Sequence, residues 1–326
     1  MITRPVLAAM MVAIAGCGTI AARAGADEWP SRVVKIVVPS APGGSSDAAA
    51  RLVANHFQSV FRQPFVIENK PGAGGGVGAA YVAQTEPDGY TLLISNTAAN
   101  LTVPIVSKNF SYDPVKDFTH VAYLGGPPIV VVVNPSLGIK TFADLIAYQK
   151  KQGVALTYAS PGAGTNGHLV AEYFAKKAGI AVEHVPYRGA APGILDVVAG
   201  HLVFGSMTWT TASGHIQAGT VLPLAVSSNE RLPDFPNVPT LKELGYPELV
   251  CTTWFSLSGP PGIPAPIVEK LNGEVVKAMQ SSTVQKRLAL DQILTEPMDP
   301  AQFTKFVADE VARWRPISHN AGFATH

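Results

Sequence analysis

The hydrophobic and polar positions of this chain switch repeatedly between a period of two and a period near 3.6. Val33-Val34-Lys35-Ile36-Val37-Val38 is a short β-branched run of the kind that forms a buried strand. It breaks at Pro39-Ser40-Ala41-Pro42-Gly43-Gly44-Ser45-Ser46-Asp47. A helical pattern over 48–57 then sets Leu52, Val53 and Phe57 on one side. This unit of strand, glycine loop and helix recurs. Phe65-Val66-Ile67 predicts a second strand, Gly72 to Gly78 a loop, 79–84 a helix and 90–95 a third strand after the Asp88-Gly89 turn. Further on, 129–134 is a continuous apolar strand, 141–150 a helix and 156–159 a strand. That strand leads into Ser160-Pro161-Gly162-Ala163-Gly164-Thr165-Asn166-Gly167-His168, and a helix follows over 169–178. Such alternation through short loops predicts largely parallel, three-layer α/β domains. The stretch 259–266 holds four prolines and two glycines and reads as a rigid connector before helices over 267–279, 283–290 and 301–314.

The amino terminus changes the picture of where the protein works. Arg4 supplies a positive flank, Pro5 to Gly16 a short apolar core, and Ala24-Gly25-Ala26 a small-residue cleavage site. The core is about half the ~20 residues of a spanning helix, so 1–26 is expected to be a secretion signal. Ile14-Ala15-Gly16-Cys17 offers a second route, in which an acylated Cys17 becomes the mature N-terminus. With either route Cys251 lacks an intrachain disulfide partner.

The remaining ~300 residues suggest two domains. Hydrophobic residues make up 47% of the chain, charged residues 14%, and the formal net charge is +1. With no basic stripe, nucleic acid is not an expected partner. None of the eight histidines forms an HExxH, HxH or HxxxH pair, and there is no GxSxG elbow, so neither a metal site nor a hydrolase triad is indicated. Gly74-x-Gly76-x-x-Ala79 loosely matches a dinucleotide fingerprint. However, Ser95-Asn96-Thr97 stands where its acidic ribose partner belongs, and no cofactor is expected. An NAD-dependent α/β enzyme is the rival reading that these absences weigh against.

The loops 39–47 and 160–168 are the strongest candidates for chemistry. Each follows a strand and opens a helix, which aims unpaired N–H groups and a positive helix end at one place and suits an anion. Ser45, Ser46, Thr165 and Asn166 can cap or donate. Asp47 and His168 have two open readings, as ligand contacts or as caps of their own helices. The loops themselves could be plain structural turns.

Seven segments resemble a known family. PSAPGGSSD (39–47), ENKPGAGGGVGA (68–79), PDGYTLL (87–93), SPGAGTNGHL (160–169), VPYRGAAPGILDVVAGH (185–201), DFPNVPTLKELGYPEL (234–249) and WFSLSGPPGIPAPIVEKLN (254–272) occur in order over essentially all of the mature chain. Together they resemble the Bug (TctC-like) extracytoplasmic receptors of tripartite tricarboxylate transporters. The resemblance implies a two-lobed, type II periplasmic binding protein of the Venus-flytrap kind. Lobe one would be 27–128 plus 253–326 and lobe two 129–252, with hinges near Pro128 and Thr253. It implies a monomeric, non-catalytic periplasmic receptor that carries a small di-, tri- or aromatic carboxylate to a membrane permease; a receptor reporting to a sensor kinase is the alternative. Carried over, the site residues are Pro42, Gly43, Gly44, Ser45 and Asp47 facing Ser160, Gly162, Gly164, Thr165 and Asn166, joined by Ser95 and His168. Tyr187 and Arg188 would sit on the rim, Arg188 either pairing a second carboxylate or forming a surface or hinge ion pair. The chain departs from the family after Gly200-His201: Val203 and Met207 stand where aspartates are common, with Trp209 close by. These residues would either face an apolar or aromatic ligand body or repack the core around Trp209.

Overall fold

The computed structural model describes residues 29–320 apart from 108, 109, 111, 291 and 294, so the expected signal and Cys17 lie outside the described residues. The first sheet starts with β1 (Val34–Val38), which feeds α1 (Ser45–Phe61), followed by β2 (Phe65–Asn69) and α2 (Gly76–Ala83). Then come β3 (Thr91–Asn96), a short helical stretch ending in α3 (Val103–Val106), and β4 (Thr119–Gly125). The chain next crosses into a second sheet with β5 (Ile129–Val133), α4 (Phe142–Gln152), β6 (Leu156–Ser160), α5 (Asn166–Ala178), β7 (Val182–Pro186), α6 (Ala190–Val198), β8 (Phe204–Thr208), α7 (Trp209–Gln217) and β9 (Leu222–Val226). It returns as β10 (Phe255–Gly259), and ends in α8 (Ala265–Gln280), α9 (Ser282–Leu290) and α10 (Pro300–Asn320).

The two sheets share one topology. The first is ordered β2-β1-β3-β10-β4 and the second β7-β6-β8-β5-β9. In each, one strand runs against the other four: β10 pairs antiparallel with β3 and β4, and β5 with β8 and β9. This qualifies the expectation of largely parallel sheets for a physical reason, since the reversed strand is in each case the one that has just crossed from the other sheet. The crossings are short. Pro128 bridges Thr252, and Thr253 N–H donates to Pro127 O at 2.8 Å, so two antiparallel strands side by side join the halves.

Each sheet is packed on both faces. Ile36, Val53, Phe57 and Leu271 are buried in one core, and Phe142, Tyr158, Phe174 and Phe204 in another. Phe303 of α10 packs 6.0 Å from Trp254 and 5.9 Å from Tyr123, which ties the carboxyl terminus to the first sheet. Most helices begin before the first apolar residue that marks their pattern. Gly44 is the N-cap of α1 and Thr165 that of α5, so each helix opens three residues earlier than periodicity predicts. Ser45, Ser46, Asn166 and Gly167 are thereby first-turn residues with outward-facing N–H groups.

Candidate functional site

The loops after the parallel strands of both sheets converge on one cavity of about 50 Å³. Its walls include Ser40, Gly44, Ser45 and Ser46 from the first sheet, and Thr165, Asn166, Gly189 and Thr208 from the second. Five α-helices of eight residues or more begin on it: α1, α2, α5, α6 and α7. The N–H groups of Ser45, Ser46, Asn166, Gly167 and Ala190 make no hydrogen bond among the described residues. Each is a first-turn donor, and the converging helix ends add positive partial charge from opposite walls. Arg188, an exposed residue, is the sole charged residue on the walls, and its guanidinium has no hydrogen-bond partner among the described residues. No carboxylate lines the cavity. The place is therefore built for an anion.

Side-chain hydroxyls complete it. Asn96 donates to Ser46 Oγ at 3.0 Å, which leaves the serine proton free for the cavity. Ser40 Oγ and Asn166 Oδ1 are buried without a partner, a cost the protein carries only if something else meets them. Ser45 Oγ lies 2.7 Å from Thr208 Oγ1 and 3.0 Å from Thr211 Oγ1. These contacts cross between the halves. So do the bonds from Ala41 N–H to Arg188 O at 3.0 Å and from Thr102 Oγ1 to Gly164 O. The cleft is shut.

The expected site residues divide by what they touch. Gly44, Ser45, Thr165, Asn166 and Arg188 line the cavity. Pro42 and Gly43 are exposed outside it, and Asp47 is turned into its own loop, accepting from Gly43 N–H at 3.1 Å, Arg51 at 2.9 Å and Asn69 at 3.2 Å. Burial raises the pKa of that carboxyl, but these donors outweigh burial and hold it below the usual carboxylate value. It shapes the loop and stays ionised. Gly162 and Gly164 lie at the seam between the halves, Gly162 beside Gly74 and Gly164 beside Val103 and Val106. Ser160 is pinned under the loop by Gly162 N–H at 3.1 Å and His184 Nε2 at 2.6 Å. His168 likewise works from behind: its Nδ1 accepts from Gly164 N–H at 3.0 Å and its ring stacks on His184. Ser95 is wholly buried in β3 opposite Ser256, away from the walls. Tyr187 donates to Asp196.

Trp209 is a correction. Although it opens α7 at the cavity, it is 1% exposed and packs edge-on against Phe235 at 4.7 Å. Met207 is equally buried in the same core. Their side chains are buried in that core and neither lines the cavity. Ser46, expected to cap or donate, also lines the cavity, whereas the sequence reading missed Ser40, Gly189 and Thr208. A strand end followed by a helix start marks all three, yet for Gly189 and Thr208 the flanking elements carry too few apolar repeats to announce themselves. Among the described residues no group of three or more His, Cys, Asp or Glu could hold a metal.

Two sheets joined by a double crossing, with helix ends meeting over a closed cleft, define a two-lobed solute-binding receptor. Residues 49–323 match the family described as tripartite tricarboxylate transporter family receptor, TctC. Protein BugT of Bordetella pertussis is 35% identical over 317 residues, 97% of each chain. The solved structure of Rpa4515 from R. palustris with adipate superposes with a TM-score of 0.87 at 33% identity, covering 91% of this chain and 99% of that one. MatC from Rhodopseudomonas palustris with bound malate gives 0.84 at 30% identity, over 89% and 99%. This chain belongs to the TctC receptor family of tripartite tricarboxylate transporters.

Proposed function

We propose that the protein is exported to the periplasm, captures a small carboxylate in the cleft and delivers it to the membrane permease of a tripartite tricarboxylate transporter. The observation that carries this reading is the cavity itself, ringed by free helix-opening N–H groups from both halves and a lone cation, Arg188. It is supported by the adipate and malate held by relatives of the same fold. No helix among the described residues is long and apolar enough to cross a membrane, in keeping with a receptor that hands its cargo to a separate permease. Residues 27–128 with 253–326 form lobe one and 129–252 lobe two, rocking about the crossings at Pro128 and Thr253. Contacts from both lobes exist together only in the closed form, so ligand shifts the population toward it.

Thermal unfolding of the purified mature protein with malate, adipate, citrate and benzoate tests the proposal. A ligand at about 100 times its Kd stabilises the native state by about 2.7 kcal/mol, a clear rise in Tm. Arg188→Ala should weaken the responding ligand about tenfold to hundredfold, the scale of a lost charged hydrogen bond. If no carboxylate raises the Tm, the receptor reading for this ligand class fails.

A further inference from the structure

Next to the anion cavity lies a second cavity of about 50 Å³ that shares Ser45 and Phe255 with it. Its other walls include Ala48, Ala49 and Leu52 of α1, Leu124 at the end of β4, Ile293 beyond α9, and Thr210 reaching over from α7 of the other half. No charged residue lines it. Its one unpartnered buried polar atom is Thr210 Oγ1. Because Thr210 covers this compartment from the opposite half, the compartment is roofed only when the cleft shuts. It therefore belongs to the binding event rather than to the core of either half. By the rule that one water needs about 10–15 Å³, each cavity has room for about four water-sized groups.

Resting on the receptor reading above, we infer that the ligand is a monocarboxylate with a short alkyl or aryl body. The carboxylate sits at the helix ends and the body passes Ser45 and Phe255 into the apolar compartment. A second carboxylate at that end would be buried with no cation, the sole first-turn N–H being that of Ser45 at the junction with the anion cavity, and proteins avoid such burial. Thr210 Oγ1 can meet one neutral polar substituent there and cannot neutralise a charge. This apolar compartment is separate from Val203, Met207 and Trp209, the residues whose identities first suggested an apolar ligand.

Calorimetric titration of the full mature protein with propionate, butyrate, pentanoate, hexanoate and benzoate, and with malate and citrate, tests the inference. Affinity should rise about threefold to fourfold per added methylene up to the capacity of the compartment, and hexanoate and benzoate should exceed malate and citrate. Ala49→Leu fills the compartment from a half-buried position on α1 and should reduce the gain to under twofold per methylene. If carboxylates bind but malate or citrate is tightest, or affinity is flat along the series, the inference is overturned and the receptor reading stands. If none of these carboxylates binds, both fall together.

Discussion

The rings of His168 and His184 lie 3.8 Å apart and nearly parallel behind the 160–168 loop. Burial is the main cause that lowers both, His184 to about 4 and His168 to about 3, with the neighbouring ring also opposing charge on His168. His120, buried beside Phe303, is lowered to about 4 for the same reason. In the unfolded chain these imidazoles titrate near 6.5. Between pH 6.5 and 4 the unfolded chain thus binds protons that the native state refuses. Stability is full above about pH 6.5 and falls as the pH drops, by at most about 1.4 kcal/mol per pH unit for each group. Urea midpoints at pH 7 and pH 5 measure this, and equal midpoints would contradict it. His168→Asn keeps an acceptor for Gly164 N–H while removing one titrating ring, so its midpoint should depend less on pH. The histidine pair was not legible in the sequence, because 16 positions separate rings that only the pairing of β6 with β7 brings together. Arg188 entered through the family resemblance, which put it on the rim and left its role open. The packing of Trp209 was not legible, because its position in the chain fixes the backbone it starts and not the face on which its ring packs.

At the scale of elements, glycine and short polar residues mark where helices open, but periodicity marks only where they become amphipathic. That difference set the predicted starts of α1 and α5 three residues past the true ones, beyond four of the five free donors. Gly167 shows why the sequence is so specific there: a Cβ on it would collide with Ser206 O of β8, so α5 can approach the sheet this closely only with glycine at that position. Capping gives a paired test. Thr141 and Asp144 form a reciprocal capping box at the start of α4, far from the cavity walls. Thr165 caps α5 on the wall itself, its Oγ1 accepting from His168 N–H at 3.4 Å and donating to Gly162 O at 2.8 Å. Thr141→Ala and Thr165→Ala should each cost about 1 kcal/mol in denaturant unfolding. Only Thr165→Ala should also weaken the ligand, because it releases the loop that aims the Asn166 and Gly167 donors. Equal ligand affinity in the two variants would mean that the loop is held by other contacts. The strands β4, β7, β8, β9 and β10 escaped the sequence reading because each mixes polar residues, glycine or proline among its apolar ones and lacks the continuous β-branched run that marks β1 and β5.

For the whole molecule the question is what the seam between the halves does. Ser45 with Thr208 and Thr211, Ala41 with Arg188, and Thr102 with Gly164 are polar contacts that hold it shut beside the apolar packing of Leu101 and Ile105 against the second half, and the polar contacts exchange readily with water. Closure is therefore a balance that a ligand can tip, provided it binds the shut form better than the open one. Gly164 allows this to be tested without touching the donors. Its φ is +77°, a conformation asparagine tolerates, and the nearest atoms to an added Cβ are Val106 Cγ2 at 2.9 Å and Val103 Cγ2 at 3.3 Å, both on the opposite lobe. An asparagine side chain there has room when the lobes part and none when they meet. Gly164→Asn should leave the Tm of the ligand-free protein where it was and lower ligand affinity tenfold or more. Small-angle scattering should show a radius of gyration that contracts on ligand binding in the unaltered protein and stays fixed in the variant. A variant that binds and contracts normally would mean that capture takes place without the seam around Gly164 closing, and that the apolar compartment roofed by Thr210 assembles by some other motion.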